Sequence, residues 1–427
     1  MLDRSIQPDI CEPAKLDVQR PKRVTLPNGI PLNIFDACDS EVTRVDIVME
    51  GGRWDQSQPL QALFTNRMLR EGTRHYTAAC IAEQLDYYGA WLDLSSAPRH
   101  TYVTLYSLNK YLPQTLDILE SIVKEPLFPE KELKVVVDAN VGQFKINTSK
   151  VDFLAHRELA HALFGEEHPA GRMVCEADYR CITPEVLHDF YDRYYHSQNC
   201  TIYLSGKVTD DCVRRVGTLF GRESFGHCLE KPQSMFLPPV ANARRRIFVE
   251  RGEALQSAVR IGMLTMERCH PDYLKFRVLV TLLGGYFGSR LMSNIREEKG
   301  YTYGISAGYA SYPGQGLLAI SAETANQYVE PLIAEVYREI SRLQNEKVSV
   351  EELVMVKNYM LGDMCRSCES AFSLADGWIF LQASGLGETY FADAMQAVKD
   401  VTPDEIRDLA CKYLRKEDLK EIVVGAK

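Results

Sequence analysis

Two places in this 427-residue chain open a helix in the same way and close on a strand. The first is Ile182-Thr183-Pro184-Glu185-Val186, ahead of an apolar run at 200–205; the second is Val401-Thr402-Pro403-Asp404-Glu405-Ile406, ahead of one at 421–424. In each, the Thr hydroxyl suits the N-cap and Pro suits the first helical position, where a missing N–H costs nothing. The elements before these two places also recur in order. The first series has strands at 24–26 and 30–34 around the turn Pro27-Asn28-Gly29, then an alternating strand at 43–49. Helices follow at 60–70 and 78–88, strands at 90–95 and 100–108, and helices at 111–124, 129–164 and 184–195. The second series has strands at 246–250 and 258–263, helices at 273–283 and 289–298, and strands at 305–309 and 316–322. It ends with helices at 329–343, 349–364 and 403–414. The expected architecture is therefore α+β and duplicated: a domain at 1–224, a linker at 225–245 containing Pro232, Pro238 and Pro239, and a second domain at 246–427.

Composition narrows the function. Hydrophobic residues make up 45% and charged residues 25%, enough apolar material for two cores. A net charge of −9 argues against a nucleic-acid binder, which would carry a basic face. No run reaches the roughly 18 apolar residues of a membrane span. The start of the chain has no apolar signal-peptide core, which predicts a cytoplasmic protein; a periplasmic one already shorn of its signal would read the same. The 12 cysteines are scattered, as expected of small buried hydrophobes in a reducing compartment. Cys365 and Cys368 form a lone CxxC within a helix, without a second ligand pair, and read as structural.

The string with the most information is Gly284-Gly285-Tyr286-Phe287-Gly288-Ser289-Arg290-Leu291-Met292-Ser293-Asn294-Ile295-Arg296-Glu297-Glu298-Lys299-Gly300-Tyr301-Thr302-Tyr303. It resembles the second-domain signature of the pitrilysin/insulinase family of zinc peptidases, which includes the mitochondrial processing peptidases. That signature is GG…SRL…RE…G.(A/T)Y. The first half agrees in outline through Leu26-Pro27-Asn28-Gly29, Met68-Leu69-Arg70-Glu71-Gly72-Thr73 and His168-Pro169-Ala170-Gly171-Arg172. The resemblance implies two homologous domains of the LuxS/metallohydrolase-like type, each a mainly antiparallel sheet packed with helices.

Active members of that family carry HxxEH just before the Met-Leu segment. Two His four apart lie on one helix face and ligate one zinc ion, and the Glu between them serves as general base toward the metal-bound water. Here the matching positions are Leu63, Asn66 and Arg67, and the distant Glu ligand falls at Ala139. Leu63 has no donor atom, Asn66 is no base at neutral pH, and Arg67 repels a cation. No metal is expected in this chain. Substitute sites fare no better. His156 and His161, around Glu158, lie about 140° apart on a helix of 3.6 residues per turn. His188, Asp192 and His196 have better spacing but read as the polar face of a helix.

The second half keeps what the first has lost. By resemblance, Tyr303 would hydrogen-bond the oxyanion of the tetrahedral intermediate and Arg296 would hold a nearby substrate carbonyl. Gly284, Gly285, Gly288 and Ser289 stand where the non-catalytic processing-peptidase subunit uses a longer glycine-rich loop in substrate recognition. The same glycines lack the GK(S/T) ending and preceding strand of a phosphate loop. The expectation is a subunit inactive alone, paired with a homologous HxxEH-bearing partner that brings the zinc and encloses a peptide substrate. A homodimeric peptide-binding protein and an inert scaffold subunit are the alternatives.

Overall fold

The computed structural model describes residues 5, 6, 13, 15, 16, 18–37, 40–227 and 237–426. Residues 228–236 of the expected linker, Pro232 among them, lie outside the described residues. The first half runs β1 (Lys22–Thr25), β2 (Pro31–Asp36), β3 (Val42–Glu50), α1 (Gln61–Met68), α2 (Ala78–Tyr88), β4 (Trp91–Ser96), β5 (His100–Leu108), α3 (Leu112–Lys124), α4 (Glu130–Thr148), α5 (Val151–Phe164), α6 (Glu176–Arg180), α7 (Pro184–Tyr194), β6 (Cys200–Gly206) and α8 (Asp210–Gly221). The second runs β7 (Arg246–Glu250), β8 (Gln256–Thr265), α9 (Tyr273–Val280), β9 (Thr302–Tyr312), β10 (Gln315–Ala325), α10 (Val329–Asn345), α11 (Val350–Arg366), α12 (Ala371–Ala383), α13 (Tyr390–Asp400), α14 (Pro403–Tyr413) and β11 (Lys420–Gly425).

The fold is α+β with two mainly antiparallel sheets. The first has the order β1-β2-β6-β3-β5-β4, the second β7-β11-β8-β10-β9. Without β1 the two orders are the same, and in each sheet one neighbouring pair is parallel, β2 with β6 and β7 with β11. The likeness reaches single hydrogen bonds. Thr43 at the start of β3 donates to Asn109 at 2.8 Å, and Ser257 at the start of β8 donates to Asn326 at 2.8 Å. Each Asn opens a short 3-10 turn, Asn109–Tyr111 or Asn326–Tyr328, that leads into α3 or α10. The two Thr-Pro helix starts are α7 and α14, where Thr183 and Thr402 accept from Val186 N at 3.4 Å and Glu405 N at 3.3 Å.

Each sheet is covered on one face by its own helices and on the other by a helix from the other half. On the first sheet, Phe35, Val48 and Tyr203 pack against Leu374, Trp378 and Leu381 of α12. On the second, Ala258, Leu317, Ile422 and Val424 pack against Leu159, Leu163 and Phe164 of α5. Burial on both faces explains why all of β6 is buried. Ion pairs accompany both crossings. Arg44 on β3 is held by Asp46 at 2.8 Å and by Asp376 of α12 at 2.7 Å, and Arg260 on β8 pairs with Asp152 of α5.

This crossing accounts for two departures from expectation. The helix expected over 129–164 is two helices, α4 and α5, with a break at Ser149 and Lys150 that sends α5 across the second sheet. Helix α12 was not expected at all: it is apolar on several sides because it touches both halves, so no helical stripe marks it. The expected helix at 289–298 is mostly a wide π-turn, Met292–Glu298.

Candidate functional site

Helices α1 and α4 meet where the resemblance would place the metal. Half-buried Leu63 packs on the first core. Buried Asn66 donates to Tyr102 O at 3.3 Å and to Tyr195 Oη at 3.2 Å, while its Oδ1 has no partner. Arg67 donates to the Asn140 side chain, next to Ala139, and burial pushes its guanidinium below the ordinary value. A carbon side chain, a buried amide, a guanidinium and a methyl group supply no anionic or imidazole donor for zinc. The residues present do not fit that ion. Among the described residues no group of three or more His, Cys, Asp or Glu stands close enough to hold any metal.

What remains at this place is a groove of about 840 Å³ between α2, α4 and the edge strand β4. Its walls include Ile81, Leu85, Trp91, Leu94, Val136 and Ala139. Edge strand β4 leaves one row of backbone groups without a strand partner, the arrangement that an added extended peptide uses. Glu71 also lines the groove; burial raises its pKa, Arg70 opposes that shift and Glu132 adds to it. Sequence reasoning missed this groove, because nothing in the helical and strand periods says which elements face one another.

Arg296 and Tyr303 lie in the second half and line one cavity of about 600 Å³ with Gln256, Glu323 and Tyr328. Tyr303 is 92% exposed. A bulge explains this: Ile305 pairs with Ala322 and Thr302 with Thr324, so Tyr303 and Gly304 stand opposite the single residue Glu323. Thr302 stabilises the bulge, donating to Glu323 O at 2.6 Å and accepting from Gly304 N at 3.1 Å. Arg296 leaves the π-turn with its guanidinium 4.7 Å from the Phe287 ring centre. Among the described residues it forms no ion pair with Glu297 or Glu298. The π-turn itself is anchored by Asn294, which donates to Glu335 at 3.1 Å and to Glu339 at 2.7 Å on α10.

The glycine segment divides in two. Gly284 is buried, and a Cβ there would stand 2.5 Å from Ala307 N of β9, so its lack of a side chain serves close packing. Ser289 is buried as well, whereas Gly285 and Gly288 are exposed. The weighed histidines scatter: His188 packs on the Phe128 ring at 4.9 Å, His196 is buried beyond the end of α7, His161 bonds to Gly171 O at 3.0 Å, and exposed His156 faces a different cavity. Cys365 and Cys368 are free thiols at the end of α11.

Comparison with known proteins finds peptidase-family models over parts of both halves. Residues 55–175 match the family model for insulinase, peptidase family M16, and residues 182–360 match that for the peptidase M16 inactive domain. An uncharacterized zinc protease of Bacillus subtilis, YmxG, is 24% identical over 359 residues, 82% of this chain and 85% of that protein. An uncharacterized zinc protease of Rickettsia felis is 22% identical and covers 90% of both chains. Among solved structures, a peptidase M16 inactive domain from Pseudomonas fluorescens superposes with a TM-score of 0.82 at 21% identity, covering 95% of this chain and 98% of its own. A protease from Helicobacter pylori gives 0.85 at 16% identity, covering 95% and 99%.

Proposed function

Since this chain belongs to the peptidase M16 (insulinase) family, we propose that it is the metal-free subunit of a two-chain zinc peptidase. A homologous partner brings HxxEH and its zinc. This chain brings Arg296 and Tyr303, which face the bound peptide and stabilise charge on its carbonyl oxygens. The observation that carries this reading is a contrast. At the four metal positions Leu63 packs on the core, Asn66 bonds to Tyr102 and Tyr195, Arg67 bridges to Asn140 and Ala139 offers only a methyl group, yet Arg296 and Tyr303 line one open cavity, with a freely exposed phenol and a guanidinium that has no carboxylate partner among the described residues. A phenol and a guanidinium held ready are donors suited to an oxyanion and a carbonyl.

The test is reconstitution. The chain alone is expected to bind no stoichiometric zinc and to cleave no peptide, and mixing with an HxxEH-bearing homologue should give a two-chain particle with chelator-sensitive peptidase activity. Chelator-sensitive cleavage by this chain alone would overturn the proposal.

A second reading draws on the groove beside β4, whose apolar walls alternate with charged side chains such as Arg70, Asp86 and Asp93: a subunit that holds extended peptides without cutting them. Peptide binding by the isolated chain, with no gain of activity from any HxxEH homologue, would favour it.

A further inference from the structure

Outside the site above, one cavity stands out by its charge. It measures about 250 Å³ and lies between α5, the loop after β3, the loop at 169–174 and Tyr312 of the second half. Its charged or titratable side chains, apart from the Tyr312 phenol, are Arg53, His156, Arg157 and Arg172; no carboxylate lines it. This is unexpected in a chain of net charge −9. Several arginines elsewhere in the interior have acids: Arg44 has Asp46, Arg99 has Asp55, Arg260 has Asp152 and Arg290 has Glu352. Among the described residues, Arg53, His156 and Arg172 have no ion pair and no side-chain hydrogen bond.

Two of the groups are positioned. Arg157 is fixed by donation to Val174 O at 2.5 Å and by the rings of Phe144 and Phe153 at 5.4 and 5.5 Å, which leaves its remaining N–H groups for another acceptor. Burial raises the Tyr312 pKa, and Arg53 lies close enough to oppose that rise. The remaining wall is apolar: Trp54, Pro98, Pro169 and Met173. Trp54 is stacked on Tyr312 with ring centres 5.8 Å apart, so this wall spans both halves. The cavity is smaller than a typical ligand pocket of roughly 300–1,000 Å³. It suits the end of a molecule rather than the whole of one.

We propose that this basic cavity at the junction of the two halves binds the terminal carboxylate of a peptide, with Arg53, Arg157 and Arg172 around the carboxylate and Trp54 and Met173 against the last side chain. Planar guanidinium forks match a carboxylate well. The apolar wall distinguishes such a ligand from a bare phosphate, which offers nothing to bury there. The site is separate from the groove at β4 and from the cavity of Arg296 and Tyr303, and it does not require the partner's metal.

Calorimetric titration of the full-length chain decides it, with an acetylated Ala-Ala-Leu tripeptide as free acid, its C-terminal amide, and inorganic phosphate as probes. The free acid should bind, the amide at least tenfold more weakly, and the affinity of the acid should fall as salt is raised. The double variant Arg53→Gln/Arg172→Gln alters only exposed side chains and should weaken the acid at least tenfold without changing the thermal midpoint. Equal binding of acid and amide, binding of phosphate as tight as that of the acid, or no binding of the acid at all would each overturn the assignment.

Discussion

Arg67 donates to Asn140 and so joins α1 to α4 at the place where a metal-binding relative would bridge the same two helices with an ion. The bridge uses one cation and one amide in place of a metal ion with its imidazole and carboxylate ligands. If it carries the ion's structural role, Arg67→Ala should lower stability by about 1.5–3 kcal/mol, the range for a hydrogen bond to a charged group, read by urea denaturation. The four-residue change Leu63→His, Asn66→Glu, Arg67→His and Ala139→Glu should create zinc binding near one equivalent, read by metal analysis after dialysis. Failure of a folded variant to bind zinc would show that the α1–α4 geometry has drifted along with the sequence.

Tyr303 has no role in packing that its exposure can support, so its removal should be silent in stability and visible in chemistry. In the reconstituted two-chain peptidase, Tyr303→Phe should lower turnover about 10²–10³-fold, the range for loss of one oxyanion donor. The thermal midpoint, zinc content and particle mass should not move. An unchanged turnover number would remove Tyr303 from the chemistry.

Much of the fold could be read from local signals, and the reasons are specific. The strand expected at 100–108 is β5, where buried and half-buried residues alternate along its whole length. The helix at 78–88 is α2, fixed by the Thr77 cap and by Gly89 at φ 60°, a left-handed conformation natural to Gly. Local signals failed where a segment serves both halves. Helix α12 lacks a polar stripe, and the α4–α5 break lies in a continuous helical pattern. The expectation that Leu63, Asn66, Arg67 and Ala139 hold no zinc rests on residue types alone. The Arg67–Asn140 bridge, the bulge that turns Tyr303 outward and the basic cavity at Arg53 and Arg172 depend on which elements meet, and no period in the sequence encodes that. One signal was present and overlooked: Asn109-Lys110-Tyr111 and Asn326-Gln327-Tyr328 mark the same turn in both halves.

Those two turns invite a matched pair of substitutions. Asn109 accepts from Thr43 and donates to Lys207 O at 2.8 Å; Asn326 accepts from Ser257 and donates to Ala254 O at 3.0 Å. Each side chain ties the start of a central strand to the entry of the helix that covers it. Asn109→Ala and Asn326→Ala should each destabilise by about 1–2 kcal/mol, as for two part-buried bonds lost. The double variant should show the sum, since the two turns share no partners. A large difference between the singles would mean that the two halves no longer use the turn alike.

His168 gives the clearest pH dependence. It is buried among rings: its own ring is stacked on Phe164 at 4.7 Å and edge-on to Trp54 at 5.0 Å, and Trp54 in turn stacks on Tyr312 of the second half. Its Nδ1 accepts from Ala170 N at 3.0 Å, which requires the neutral ring. Burial lowers its pKa below the ordinary value of 6.5. The unfolded chain therefore binds a proton before the folded one does, and stability supplied by the neutral ring is complete above 6.5 and lost as pH falls through the lowered folded value. The thermal midpoint should consequently drop between pH 7 and pH 5, ahead of the general acid unfolding of carboxylates. His168→Phe keeps an aromatic ring among the others and removes the titration, so its midpoint should be lower at pH 7, through loss of the Ala170 bond, but flatter over the same interval. An equal slope in the two proteins would assign the loss to other groups and leave His168 as packing alone.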